Sequence, residues 1–265
     1  MLLKNVLKRV KFVRELYDLI FKIKSSFMLS KLKRNGYISK LKGKKAFFYF
    51  PYIETDGIQQ TIFYSQKYYE NKYLDYLCDE WHGGIIGKVI KNGTILDIGS
   101  NIGNHSLYFL LERGANFSYC FEPAKDTFMI LNKNMEINQL NHRTKLYNAG
   151  VGRSSGKGCI AFSKEKDTAY TQVEMQENGD VTIVSIDELN IDKKISFVKV
   201  DVEGFELDVL YGMEETLKRD KPIMMIEIWK KNYDEVSTLM KSIGYTIETI
   251  IDDGSHNGDY VCYPL

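Results

Sequence analysis

The spacing of apolar and polar residues changes several times along the chain, and each change marks an element. Over residues 2–23, Leu3, Val6, Val10, Val13, Tyr17 and Ile20 recur at intervals of three and four. Lys4, Lys8, Lys11, Arg14 and Lys22 take much of the remaining surface, so an amphipathic helix is predicted. "AFFYFPY" at 46–52 predicts an edge strand whose ladder ends at Pro51. The stretch 60–82 is rich in tyrosine and predicts a helix with Tyr64, Tyr68, Tyr69, Tyr73, Tyr76 and Trp81 mostly packed.

From residue 93 strands alternate with helices. "TILDIG" leads into a helix at 102–113, "FSYCFE" at 117–122 into a helix at 124–138, and a third strand covers 144–152. A polar insertion at 153–183 follows, with "GCIAFS" and "VTIVSI" predicted as a strand pair. A fourth parallel strand at 195–201 precedes a helix running to about 218, and a fifth at 222–229 precedes a helix at 232–242. "YTIETI" and "DYVCYP" are joined by "DDGSHNG", too tightly for a crossover helix, so they form an antiparallel hairpin. The expected class is α/β: a doubly wound, mostly parallel sheet with a C-terminal hairpin and an N-terminal helical extension.

Charge alters this picture at one end. Residues 1–34 hold ten Lys/Arg against two Asp/Glu, a balance of +8, while the rest holds 26 against 33. A net charge of +1 therefore hides a basic arm on an acidic body. That arm is read either as a helix packed on its own body or a second subunit, or as peripheral contact with an anionic membrane. Nucleic acid is not expected, because the basic face is short and isolated. Cys78, Cys120, Cys159 and Cys262 are scattered without metal-ligand spacing, which favours a reduced, cytoplasmic setting. Neither a membrane span nor a signal peptide is expected.

The chemistry starts at "ILDIGSNIGNHSLYF", where an apolar strand ends in Asp97 and is followed by Gly99 and Gly103. A dinucleotide fold wants Gly-x-Gly-x-x-Gly with the pyrophosphate on the helix N-terminus. Position 101 is Asn, and the pattern is Asp-x-Gly-x-x-x-Gly. Asp97 can meet a cation and the loop amides a carboxylate, which matches S-adenosylmethionine. Glu122, at the end of the next strand, can accept both ribose hydroxyls. Asn101 and Asn104 either bond the amino-acid end of that cofactor or cap the helix.

These residues resemble the FkbM-type methyltransferases. The likeness is carried by 95–109, "FEP" at 121–123, "VSIDEL" at 184–189, "FVKVDVEGFELDVL" at 197–210 and "IEI" at 226–228, and spans roughly 93–230. It implies a class I methyltransferase, Rossmann-like fold, S-adenosylmethionine as cofactor, and hydroxyl methylation, commonly on sugars of surface glycans or on natural products. The division expected is a basic extension at 1–45, a strand and Tyr-rich lead-in at 46–92, and the S-adenosylmethionine-binding domain at 93–265. The cofactor set is Asp97, Gly99, Ser100, Asn101, Gly103, Asn104, Glu122, Pro123 and Asn148.

For methyl transfer to an alcohol, a base must take the hydroxyl proton as the bond forms. Asp97 and Asp201 should stand side by side at the switch in strand order, one toward cofactor and one toward acceptor. Asp201 is the first candidate base. Glu203 is divided between base and first helical turn. Glu206 and Asp208 are read as a solvated face and surface. Glu227 interrupts an apolar strand and needs a partner or a function, and His105 is the alternative base. Asp201, Glu203 and Glu227 could bind a divalent cation, but no further ligand is placed, so no metal is assigned.

Three rivals remain beside this reading. Tyr68 and Lys72 have a dehydrogenase spacing but precede the glycine loop. No Asn/Asp-Pro-Pro-Tyr turn follows the fourth strand, as a nucleic-acid methyltransferase would have. A non-catalytic membrane or partner-binding module is the third. The expected partner is a small-molecule or glycan acceptor; the oligomeric state is not legible.

Overall fold

The computed structural model describes residues 22–164, 167–251 and 257–265, over 162–170 as backbone. The predicted helix at 2–23 lies almost wholly outside these residues. The described chain opens with helix α1 (22–34). A short hairpin follows, β1 (Ile38–Lys40) against β2 (Phe47–Tyr49), which forms a two-stranded sheet of its own. The Tyr-rich stretch is two helices, α2 (Gly57–Ser65) and α3 (Asn71–Asp79), where one was expected. Between them Gln66 and Glu70 adopt left-handed backbone. Tyr68 in that break is buried edge-on against Phe48 and Tyr108, so ring packing overrides helix continuity.

After α4 (Ile85–Ile90) comes the main unit: β3 (Thr94–Ile98), α5 (Asn104–Leu107), β4 (Phe117–Phe121), α6 (Lys125–Ile137) and β5 (Thr144–Tyr147). The helix predicted at 102–113 starts two residues later and widens into a π turn over Tyr108–Glu112. The strand predicted at 144–152 divides. Its first half stays in the sheet, while β6 (Gly150–Val151) leaves for a second sheet with β7 (Gly156–Lys164), β8 (Asp167–Met175) and β9 (Val181–Val184). β7 and β9 are the expected pair, but the polar stretch read as plain insertion also supplies β8.

β10 (Phe197–Val200), α7 (Glu206–Tyr211), α8 (Glu214–Asp220), β11 (Ile223–Trp229), α9 (Tyr233–Ser242), β12 (Tyr245–Ile251) and β13 (Asn257–Pro264) complete the chain. The helix expected to run to 218 breaks at Gly212. A Cβ there would lie 1.9 Å from the Gly152 carbonyl oxygen, so the second sheet comes too close for any side chain. The main sheet runs β12-β13-β11-β10-β3-β4-β5, parallel except at its β11-β13-β12 end. This is the expected doubly wound sheet with its C-terminal hairpin. The winding reverses between β3 and β10, which opens a crevice at their carboxyl ends. Alternate strand residues feed two cores, one on each face: Ile95 and Phe197 join the first, Leu96 and Val198 the second.

Gly212→Ala should cost about 1–3 kcal/mol by overpacking, lowering the melting temperature by several degrees in calorimetry. An unchanged midpoint would mean that the two sheets separate at no cost.

Candidate active site

The glycine loop is held by β4. The Gly99 and Ser100 amides donate to the Phe121 carbonyl at 3.0 and 2.9 Å, and the Ser100 hydroxyl donates to the Asp97 carbonyl at 2.6 Å. Gly99 has φ +75°, and a Cβ on it would sit 1.8 Å from the Asp201 carbonyl oxygen. Only glycine lets β3 and β10 close here. Gly103 starts α5 against Leu131 and Met135, away from the cleft.

Glu122 is 4% exposed. Its carboxylate accepts the Asn101 amide at 3.0 Å and the Ala124 amide at 2.9 Å. Burial pushes its pKa up to about 7, against the pull of these N–H groups and Lys199. Asn148 donates to the Glu122 and Pro123 carbonyls, fixing the chain where β4 ends. Asn101 is left-handed, and its side chain accepts the Ile102 amide. Asn104 pairs with both backbone groups of Tyr69, so it ties the Tyr-rich lead-in to the loop. Gly99, Asn101, Glu122 and Pro123 form one wall of a cleft. Thr171 and Val173 of β8 and Asp201, Glu203 and Phe205 after β10 line the rest.

Asp97 does not line that cleft. It is fully buried, accepts from Ser106 at 2.5 Å, and stands directly opposite Lys199 of β10. Lys199 is the residue that the sequence reading missed. It is 2% exposed; its Nζ donates to the Gly99 carbonyl at 2.7 Å and lies 3.2 Å from Asp201 and 3.8 Å from Asp97. Burial opposes its charge, yet Asp201 and Asp97 hold its pKa above the ordinary value. A lysine inside "FVKV", an otherwise apolar central strand, was the signal, because a buried cation must be paired.

The acids beyond β10 form a cluster. Glu203 lies in a turn at φ +52° and not in a helix, which begins at Glu206. Glu206 is fully buried, accepting from the Gly204 amide at 2.8 Å and from Asn232 at 2.6 Å, so the solvated-face expectation is corrected. Asp208 faces Arg153. Asp201, Glu203 and Glu227 each bring an oxygen within 4.8 Å of the others. Burial, Asp201 and then an opposing bond from Trp229 leave Glu203 at about 7. Burial and then Asp201 and Glu203 push Glu227 to about 8. Asn257 donates to Glu227, and Asp259 stands opposite it on β13. Asp259 is raised to about 7 by burial, Glu70 and Asp201. His105 is paired with Glu70 at 3.2 Å, so it borders the cluster without lining the cleft. Glu70 and Asp259 escaped the sequence reading because the lead-in and the last strand bring them to the acids from distant parts of the chain.

The cleft fits S-adenosylmethionine on its donor set. Glu122 is buried with lone pairs to spare for a ribose diol, and Gly99 leaves the wall bare. A doubly wound sheet with this loop and this acid defines a class I methyltransferase. The family model of the Methyltransferase FkbM domain matches residues 97–247, and the chain belongs to that family. It is an S-adenosylmethionine-dependent methyltransferase.

Methyltransferase 1 of Beauveria bassiana is 26% identical over 58% of this chain and 72% of its own. The hexuronic acid methyltransferase AglP of Haloferax volcanii is 34% identical over 48% of this chain; the match spans about half of AglP, 53%. The crystal structure of methyltransferase FkbM from Methylobacillus flagellatus superposes with a TM-score of 0.49 at 18% identity, over 64% of this chain and 43% of that one.

Replacing Glu122 by Gln should weaken S-adenosylhomocysteine binding by roughly ten- to hundredfold in calorimetry, the scale of hydrogen bonds to a charged group. Lys199→Met should cost about 3 kcal/mol of stability, the low end for a broken buried pair because Asp201 keeps 38% of its side chain in water. A denaturant midpoint equal to wild type would remove Lys199 from this role.

Proposed function

We propose that the chain methylates a hydroxyl of a sugar or glycan-type acceptor, with Glu203 as the base. The convergence of Asp201, Glu203 and Glu227 at the end of the cofactor cleft carries this reading. An alcohol becomes a competent nucleophile only as its proton leaves, and a base works best with a pKa near the working pH. Glu203 lines the cleft and has that pKa. Glu227 lies within 4.8 Å of it, and the charges of Asp201 and Glu203 help to keep Glu227 protonated. Asp201, named first from sequence, is paired with Lys199 and is better placed to orient the acceptor. S-adenosylmethionine, when bound, supplies an electrophilic methyl group. Most of the acceleration would come from the cleft walls positioning acceptor and cofactor against each other. The name of the Haloferax relative supports a sugar acceptor.

An acceptor screen over sugars, nucleotide sugars and glycans, read by released S-adenosylhomocysteine, tests the substrate class; turnover only on non-sugar hydroxyls would overturn it. Glu203→Gln should keep S-adenosylhomocysteine affinity within about twofold while turnover falls by roughly 10²–10⁴.

The sign of the pH dependence follows from the raised pKa values. Below about 7 Glu203 is protonated and cannot accept a proton, so kcat/KM should climb from about pH 6 and level off above about pH 8. A flat profile, or full turnover in the variant, removes Glu203 as base. Chelator treatment should leave turnover unchanged; its abolition would assign the three carboxylates to a cation.

A further inference from the structure

Helix α1 has two apolar faces. Leu32 is 2% exposed, and Met28 and Leu29 pack beside it against the first core. Lys33 is bonded to Glu54 at 2.5 Å, which ties the helix to the body. Ile23 and Phe27 lie on the opposite side, 62% and 67% exposed. They are four residues apart, so they stand one turn above the other. Ser30 and Arg34 continue the same outward ridge.

The flanks of this ridge are basic. Lys24 and Lys31 fall on one side and Lys22 on the other by helical position, all three exposed, while Lys33 beside Lys22 is engaged by Glu54. Long basic side chains beside an apolar ridge can lay their stems along it and raise their charges to a surface of opposite sign. That arrangement complements a plane carrying negative charge above an apolar interior. A protein partner would need a groove as narrow as two side chains; a lipid surface needs only the charge and the depth of the ridge. No described helix is long and apolar enough to cross a membrane, so such contact would be peripheral.

We propose that the outward face of α1 docks on an anionic lipid surface, with Ile23 and Phe27 inserted between headgroups and the flanking lysines paired with them. No residue of α1 lines the cleft. The inference is independent of the identity of the acceptor.

The test is flotation of the full chain with vesicles of phosphatidylcholine alone or with phosphatidylglycerol added, at low and high salt. Binding should be at least about tenfold stronger with the anionic lipid and should weaken with salt. An Ile23→Ser, Phe27→Ser double variant should lose about tenfold or more, while its melting temperature and S-adenosylhomocysteine affinity match wild type. Equal flotation of variant and wild type, or no flotation of either, overturns the proposal. So does a wild-type dimer in light scattering that the double variant converts to monomer without any vesicle binding, since the face then belongs to a second copy.

Discussion

The site depends on one buried ammonium group. Lys199 sits in the central strand of the sheet, where any unpaired charge would be expelled. It is kept by three oxygens: the Gly99 carbonyl, the Asp201 carboxylate and, at longer range, Asp97. These belong to the cofactor loop, the acid turn and the strand that leads into the loop. One cation thus fixes the two halves of the site relative to each other. Gly99 completes the junction, because the Asp201 backbone occupies the space of its missing side chain.

Around that junction the protein accumulates negative charge. Glu203, Glu227 and Asp259 are all held above the ordinary carboxylate range by burial and by neighbouring acids. Their folded pKa values exceed the unfolded ones, so the folded state binds more protons between about pH 4.5 and 8. Their contribution to stability is therefore complete at low pH and is lost as pH rises through about 7–8. Base chemistry needs the opposite protonation state. The site spends stability to obtain reactivity, which is the expected direction of compromise at a functional site.

The framework of this arrangement was legible in the chain because it is local. A strand, a glycine turn and a helix announce the loop at 97–104, and Glu122 follows at the end of the next strand. Asp201 follows from the order of strands alone. What was illegible depends on distance or on context. Glu70 and Asp259 reach the acids from 35 residues before His105 and from the last strand. Glu206 looked like surface because three other acids surround it in sequence, yet the Gly204 amide and Asn232 absorb its charge. β8 alternates polar and apolar residues too weakly to separate from a loop, and it is recognised only by the partner it pairs with. The break at Gln66–Glu70 is imposed by the packing of Tyr68, which no local propensity reports.

The most direct test of this electrostatic account is a carboxylate titration by carbon NMR, in wild type and in Lys199→Met. In wild type, Glu203 should titrate near 7 and Glu227 near 8. Loss of the lysine should move Glu203 higher still, because Lys199 favours its charged form. Titration of both acids in the ordinary carboxylate range, with no response to the substitution, would contradict the account.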